Sequence, residues 1–410
     1  MKVLVVSLAQ TSRLSIASAV LAAIVPPCLA DEVPVTTEFG VVFTPFVDSL
    51  SKGRNRIQID APDFNVSPRY YRLRFQVTNP EGVPWTITIR SPGGQMLSTF
   101  DQTDLRCQSE AGCWTVRLGS SLPTVRFDTS SSAAVAKVLT GLYMPKQAQR
   151  TFYSPMQGSR DELISSLDLP DDDERSTLQD KAENLGMLIA SGPTEDGSKA
   201  NWCCSGVRLN GDLFMTNWHC GAAKGLPDSA FWKTSGSFNS CQASLVDLSW
   251  DHDSQGREYA CRSVEFENKK LDVAVLRLEA LADGPLLARP LSLPVLSTDA
   301  LQSGDQVMVL HHPACEPKSV TRNCGVKNPS LPSWIDDQQA SEFSHNCTTE
   351  NGSSGGPVYS ADGSLVGLHH LGAKEGEEDK GNFAVRLAAI LTAIEQEKPA
   401  LHREITARAQ

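Results

Sequence analysis

Ser354 lies in the run Asn351-Gly352-Ser353-Ser354-Gly355-Gly356-Pro357. The glycines permit backbone angles other residues resist and clear space beside a reacting carbon. A serine presented at such a turn can attack a carbonyl. The N–H groups of Gly352 and Ser354 can then face the developing oxyanion, at roughly 3 kcal/mol per donor. Alone, a Gly/Ser run reads as an ordinary loop. A serine hydroxyl is a poor nucleophile at neutral pH, so the chemistry also demands a base and an acid to orient it. The base candidates are His219, His252, His311, His312, His345, His369, His370 and His402. His219 stands out because it ends the apolar stretch Leu213-Phe214-Met215-Thr216-Asn217-Trp218 and is followed by Cys220. A Cys204–Cys220 bridge would pin its loop against the preceding strand. The acid candidate is Asp272, which opens the apolar run Val273-Ala274-Val275-Leu276. A carboxylate at a buried strand end is expensive unless paired. Cys203, Cys204, His219 and Cys220 also offer metal-ligand atoms, but structural metal sites show paired ligands in two clusters. No metal or organic cofactor is expected.

Three kinds of segment must position these residues. Between 31 and 145, short alternating stretches (Tyr70–Thr78, Trp85–Ile89 and Trp114–Leu118) are separated by the turns Asn79-Pro80-Glu81-Gly82 and Ser91-Pro92-Gly93-Gly94. Such spacing predicts an antiparallel, β-sandwich-like accessory or pro-domain. Residues 146–183 carry the acidic run Asp171-Asp172-Asp173-Glu174 and read as a linker or pro-segment, with short amphipathic helices over 161–169 and 176–185. From 184 to 410 the pattern returns to strands, with candidates at 206–209, 213–216, 271–278, 307–311, 358–360 and 365–369. It closes on a helical period over 383–397, with Leu387, Ile390, Leu391 and Ile394 on one face. The expected class is all-β with a C-terminal helix.

The chain has 410 residues, 40% of them hydrophobic and 21% charged, with a formal net charge of -11. That size accommodates two or three domains. The acidity argues against nucleic acid as a partner, since phosphate binding needs a basic face. Residues 1–30 read as an export signal: basic Lys2 and Arg13, the apolar run 14–25, and Cys28-Leu29-Ala30 before Asp31. The run is too short for a comfortable membrane span, so no stable membrane insertion is expected once the signal leaves. Of the 11 cysteines, ten remain after Cys28 is removed. An even set in an exported chain implies disulfides in the periplasm or outside the cell. By proximity, Cys107 pairs with Cys113, Cys241 with Cys261 and Cys315 with Cys324, which leaves Cys203 for Cys347. The neighbours Cys203 and Cys204 can exchange roles.

The order His219, Asp272, Ser354, each on a strand of the right type, resembles the trypsin/chymotrypsin-like serine peptidases over 185–397, about half the chain. The resemblance implies two packed six-stranded barrels, with His219 as base, Asp272 as its orienting acid and Ser354 as nucleophile. The implied substrates are proteins or peptides. Val309-Leu310-His311-His312-Pro313, Lys318-Ser319-Val320 and Phe238-Asn239-Ser240-Cys241 resemble bacterial lysyl endopeptidases, and Val366-Gly367-Leu368-His369-His370 resembles both the lysyl and glutamyl branches. Within that likeness, the pocket is lined by the segments before Ser354 and after Gly367, including His370. Thr348 stands where trypsin-type enzymes carry a pocket aspartate. Asp379 lies near the place of the acid that receives substrate lysine. His369 lies at the place of the histidine that receives substrate glutamate. The motifs lean to a basic residue at the cleavage point, with glutamate as the alternative. Ser353 replaces the aspartate that pairs with a newly cut N-terminus in animal-type members, so activation by that ion pair is not expected. Two other functions fit the motifs less fully: a binding or adhesion protein on a protease scaffold, and an esterase using the same acyl chemistry.

Overall fold

In the computed structural model the described residues are 41–43, 49–58, 68–108, 112–145, 153–154, 161–164, 172–193, 199–222, 226–228, 231–232, 241, 243–250, 257–281, 293–333, 340–373 and 380–407. The export signal with Cys28, His252, Asp379 and the 238–240 motif lie outside them.

Two barrels form the second half of the chain. The first closes in the order Leu185–Pro193, Lys199–Arg208, Leu213–Thr216, Val273–Ala280, Glu258–Asn268, Leu245–Asp247, every pairing antiparallel. The second runs Ser319–Leu331, Gln306–His311, Pro357–Ser360, Leu365–Leu371, Asn382–Arg386, Glu342–His345, and closes because Glu342–His345 pairs back onto Ser319–Leu331. Closure removes exposed strand edges. The unbroken apolar run after Asp272 has a physical reason. Ala274, Leu276 and Leu278 fill the first barrel, while Val273 and Val275 face a second core shared with Leu310, Tyr359, Leu368 and the C-terminal helices. Both faces of that strand are dry.

The helical period over 383–397 begins too early. Asn382–Arg386 is a barrel strand, and Leu387–Glu397 is the helix that follows it. Phe383 and Val385 are apolar because the strand is buried on both sides, a pattern that a short buried strand shares with a helix. Leu387, Ile390, Leu391 and Ile394 are buried as expected, and Pro399–Thr406 adds a second short helix. In the 146–183 segment Asp172–Ala182 is helical, overlapping the expected 176–185. Asp161–Leu163 is instead a strand on the second barrel, paired with Ser319, Val320 and Thr321. Among the described residues no helix is long and apolar enough to cross a membrane.

Ahead of the barrels, two antiparallel sheets share one apolar core. One contains Val41–Phe43, Ser49–Ser51, Pro68–Thr78, Cys113–Trp114 and Val135–Pro145; the other contains Arg56–Gln58, Trp85–Arg90, Met96–Asp101 and Thr124–Thr129. The expected strand over Trp114–Leu118 is shorter, at Cys113–Trp114. Tyr71, Leu73, Phe75 and Val77 point into this core, as alternation predicts. The opposite face of the same strand does not meet water. Arg72 is buried against the first barrel, and Arg74 is buried with its guanidinium 5.3 Å from the centre of the Trp114 ring. Arg72 Nη2 lies 3.0 Å from Asp247 Oδ2, and its Nη1 binds Glu258. Arg117 Nε lies 3.3 Å from Glu258 Oε1 and 3.4 Å from Asp247 Oδ2. Two guanidinium groups thus balance two carboxylates. Trp114 Nε1 donates to the Ala243 carbonyl at 2.8 Å, and Tyr70 meets Trp250 edge-on at 5.2 Å.

All ten cysteines after Cys28 are paired. Cys107–Cys113, Cys204–Cys220 and Cys241–Cys261 follow expectation. The other two pairings are corrected: Cys203 bonds Cys315, and Cys324 bonds Cys347. Successive residues of a strand point to opposite faces. Cys204 therefore enters the first barrel with Cys220, while Cys203 faces outward to the turn after Gln306–His311. Cys324 lies inside the second barrel beside Cys347, away from Cys315.

Removing one member of a buried charge cluster leaves the others uncompensated and costs about 3–5 kcal/mol. Arg72→Ala is expected to destabilise the protein by that order, read as a lower midpoint in urea denaturation. An unchanged midpoint would show that the cluster contributes nothing.

Candidate active site

His219 sits on a single 3-10 turn, Trp218–Gly221, immediately after Leu213–Thr216. The turn is fixed from several sides. Cys220 is bonded to Cys204, Trp202 Nε1 donates to the Cys220 carbonyl at 2.9 Å, and Trp232 Nε1 donates to the Trp218 carbonyl at 2.9 Å. Asp272 stands at the mouth of Val273–Ala280 with a left-handed backbone, φ 49°. Aspartate tolerates that region better than most residues. Asn217 Nδ2 donates to its carbonyl at 2.8 Å.

The two side chains meet in a buried contact. His219 Nδ1 lies 2.7 Å from Asp272 Oδ2, and the His219 backbone N–H donates to Asp272 Oδ1 at 2.9 Å. An ionised carboxylate only accepts, so Nδ1 carries the proton and Nε2 presents its lone pair. His219 Nε2 is buried without a hydrogen-bond partner among the described residues. Burial alone would raise the Asp272 pKa; the His219 and His370 imidazoles overcome it and hold the pKa at about 2. Cys204 and Cys220 lie beside His219, but their sulfurs bond each other, so neither is a thiolate that could take a metal.

Ser354 is partly exposed, while Gly352, Ser353, Gly355 and Gly356 around it are buried. The loop is held by backbone of both barrels. Ser205 N–H donates to the Ser354 carbonyl at 2.6 Å, and Ser205 Oγ donates to the Gly352 carbonyl at 2.7 Å. Gly355 N–H donates to the His369 carbonyl at 2.7 Å. Two glycines are sterically required. At Gly355 (φ +84°) a Cβ would stand 2.0 Å from the Ser205 carbonyl oxygen, and at Gly352 (φ +90°) one would stand 2.6 Å from the His312 carbonyl oxygen. Gly355 also packs near Thr216 Oγ1, two residues before the strand-to-turn junction that carries His219. The serine loop and the histidine turn are therefore neighbours across Lys199–Arg208.

Ser353 is fully buried. Its Oγ lies 2.6 Å from His311 Nδ1 and accepts from Glu350 N–H at 3.0 Å. His311 Nε2 lies 3.1 Å from Thr321 Oγ1, which donates to the Thr348 carbonyl at 2.9 Å. His312 Nδ1 donates to the Glu316 carbonyl at 2.9 Å. The His311-His312 pair thus braces the loop from beneath.

Of the expected pocket residues, Thr348 and His369 are buried near the loop. His345 Nδ1 accepts from Cys347 N–H at 3.2 Å, so a neutral His345 carries its proton on Nε2 and donates to His369 Nδ1 at 3.3 Å. His369 then holds its own proton on Nε2, which has no hydrogen-bond partner among the described residues. His370 is placed elsewhere: its Nδ1 lies 3.2 Å from Asp272 Oδ2, and its Nε2 lies 3.4 Å from Glu342 Oε2. Sequence reasoning missed Glu342, Ser205 and the bracing role of His311. Glu342 and Ser205 carried no chemical signal of their own, and the motif that holds His311 did not point to its contact with Ser353.

Residues 204–368 match the trypsin-like peptidase domain model. The chain therefore carries a trypsin-like serine peptidase domain, a hydrolase. Among solved structures, the active form of the Rv3671c protease from M. tuberculosis aligns at 17% identity and TM-score 0.39, over 58% of this chain and 89% of that one. The HtrA-type protease AlgW with tripeptide aligns at 16% identity and TM-score 0.38, over 54% of this chain and 63% of that one. No curated protein sequence matches the chain.

Burial pushes the imidazoles of His311, His312 and His345 from their ordinary 6.5 down to about 3, and it lowers His369 well below 6.5. Between pH 6.5 and 3 the unfolded chain therefore binds more protons than the folded one. Stability falls as pH falls through that window. Thermal unfolding is expected to show a lower Tm at pH 4.5 than at pH 6.5, and a Tm that held or rose would contradict the neutral cluster.

Proposed function

We propose that the chain is an exported serine endopeptidase that cleaves peptide bonds through Ser354, His219 and Asp272. The observation that carries this reading is the buried His219–Asp272 pair, with Nδ1 committed to the acid and the Nε2 lone pair uncommitted. As Ser354 Oγ attacks the scissile carbonyl, Nε2 takes its proton, and Asp272 stabilises the imidazolium that results. The N–H groups of Gly352 and Ser354 receive the oxyanion. Proton return from Nε2 to the leaving amine completes an acyl-enzyme, which water then hydrolyses by the same steps in reverse. The Ser354–His219 hydrogen bond is absent from the structure, and such catalytic contacts often tighten only when substrate binds.

Export is supported by the 1–30 segment and by the pairing of every remaining cysteine, which suits an oxidising compartment. The buried Arg72–Asp247 and Arg117–Glu258 contacts favour retention of the N-terminal sheets with the barrels. On specificity, the lean toward Lys or Arg rests on resemblance, since Asp379 lies outside the described residues. One observation favours glutamate instead: His369 offers an N–H donor on Nε2 beside the nucleophile loop, suited to a substrate carboxylate.

Ser354→Ala is expected to lower kcat about 10^6-fold with folding unchanged and to abolish labelling by a fluorophosphonate. Retained hydrolysis in that variant rules out the assignment. Matched peptides ending in Lys, Arg or Glu at the cleavage point decide specificity, and casein digestion separates a peptidase from an esterase.

A further inference from the structure

The buried histidine behind Asp272 has a role that the triad leaves unassigned. Asp272 Oδ2 is shared by two imidazoles, His219 Nδ1 at 2.7 Å and His370 Nδ1 at 3.2 Å. A carboxylate oxygen is an acceptor, so both Nδ1 atoms must carry protons. On the far side of the His370 ring, Nε2 stands 3.4 Å from Glu342 Oε2, in ion-pair range but off the line of a hydrogen bond. A neutral His370 with its proton on Nδ1 would turn the Nε2 lone pair toward that carboxylate, two acceptors in contact. A second proton on Nε2 converts the repulsion into attraction. Asp272, His370 and Glu342 are all essentially without solvent exposure, so no water screens the interaction.

The backbone explains how His370 reaches this position. Leu365–Leu371 pairs with Asn382–Arg386 as His369 with Ala384 and Leu371 with Phe383. His370 is the extra residue of a bulge, a device that re-aims a side chain relative to plain alternation. Glu342 opens Glu342–His345, which pairs with the other edge of Asn382–Arg386, opposite Val385.

We propose that His370 is a positioning residue: a buried imidazolium, held by Glu342, that grips the shared oxygen of Asp272 and offsets its charge beside His219. The proposal rests on the assignment of His219 and Asp272 as base and acid. The groups that face His370 are the carboxyl groups of Asp272 and Glu342 and the neutral imidazoles of His345 and His369, with His219 across the shared carboxylate. Burial alone would strip the second proton from His370; Glu342 and Asp272 more than offset it and raise the pKa to about 10. A cation next to Asp272 partly neutralises the charge that His219 feels. Removing that cation would leave the full charge of Asp272 facing His219, which is the change that the acid limb of the rate profile reads.

Nitrogen-15 NMR of histidine-labelled full-length Ser354→Ala protein tests the charge without needing turnover. At pH 7.5 one imidazole is expected with both nitrogens protonated. Its signal should disappear in His370→Gln and become that of a neutral ring in Glu342→Gln. In the Ser354-containing enzyme, either substitution is expected to move the acid limb of kcat/KM upward by about one pH unit, and the double variant should move it no further. A neutral His370 at pH 7.5 overturns the proposal. So does a fall in kcat at every pH with the limb unmoved, which is what a purely structural role would give. If the unaltered enzyme hydrolysed nothing, the triad reading would fail, and the NMR result would still decide the state of His370.

Discussion

A carboxylate removed from water must be surrounded by donors, and the core of this molecule is arranged to satisfy one at Asp272. Its side chain has no solvent exposure, yet it accepts from the His219 backbone N–H and contacts two imidazoles. Those partners come from distant parts of the chain: His219 from a turn of the first barrel, and His370 from a bulge in the second. Neither barrel alone could bury this charge. The expense of an unpaired buried carboxylate therefore ties the closure of each barrel to their mutual packing. The buried His219–Asp272 pair is thus a structural seam.

The same seam is reinforced by three successive residues of Lys199–Arg208. Cys203 reaches outward to Cys315, Cys204 reaches inward to Cys220, and Ser205 clamps the nucleophile loop through its N–H and its hydroxyl. Ser205 Oγ also accepts from His312 N–H at 2.8 Å. One strand thus holds the base-bearing turn, the turn after Gln306–His311 and the serine loop in a single register. Shifting it by one residue would exchange the faces of all three side chains. The alternation of a strand thereby sets the relative position of the His219 turn and the Ser354 loop.

Much of this was legible in the amino-acid order. His219, Asp272 and Ser354 stand in contexts that point to chemistry, and five of the twelve barrel strands (Leu213–Thr216, Val273–Ala280, Gln306–His311, Pro357–Ser360 and Leu365–Leu371) lie within a few residues of their expected places. The failures share a cause: burial that depends on a partner remote in sequence. Tyr70–Thr78 alternates as a half-exposed strand should, but its Arg72 face meets Asp247 and Glu258, more than a hundred and seventy residues away. Phe383 and Val385 read as helix because a doubly buried strand has no polar face to betray its period. Cys315 and Cys324 are near in sequence but lie in different cores. The adjacency of Cys203 and Cys204 did hold a usable signal, since neighbours on a strand cannot point the same way. Glu342 carried none. It matters only because the second barrel closes around it.

Ser353 shows how a lost ion pair can be replaced by interior hydrogen bonds. In the animal-type pattern an aspartate at this place waits for a terminal ammonium to shape the loop. Here the Ser353 hydroxyl contacts His311, which contacts Thr321, which in turn donates to the Thr348 carbonyl. Glu350 N–H completes the set. His311 and Thr321 lie on strands of the second barrel, and Thr348, Glu350 and Ser353 lie in the segment between its strands Glu342–His345 and Pro357–Ser360. A neutral His311 suits the exchange, because burial disfavours its charge and a hydroxyl partner needs none. Among the described residues, these contacts and the grip of Ser205 hold the loop around Ser354.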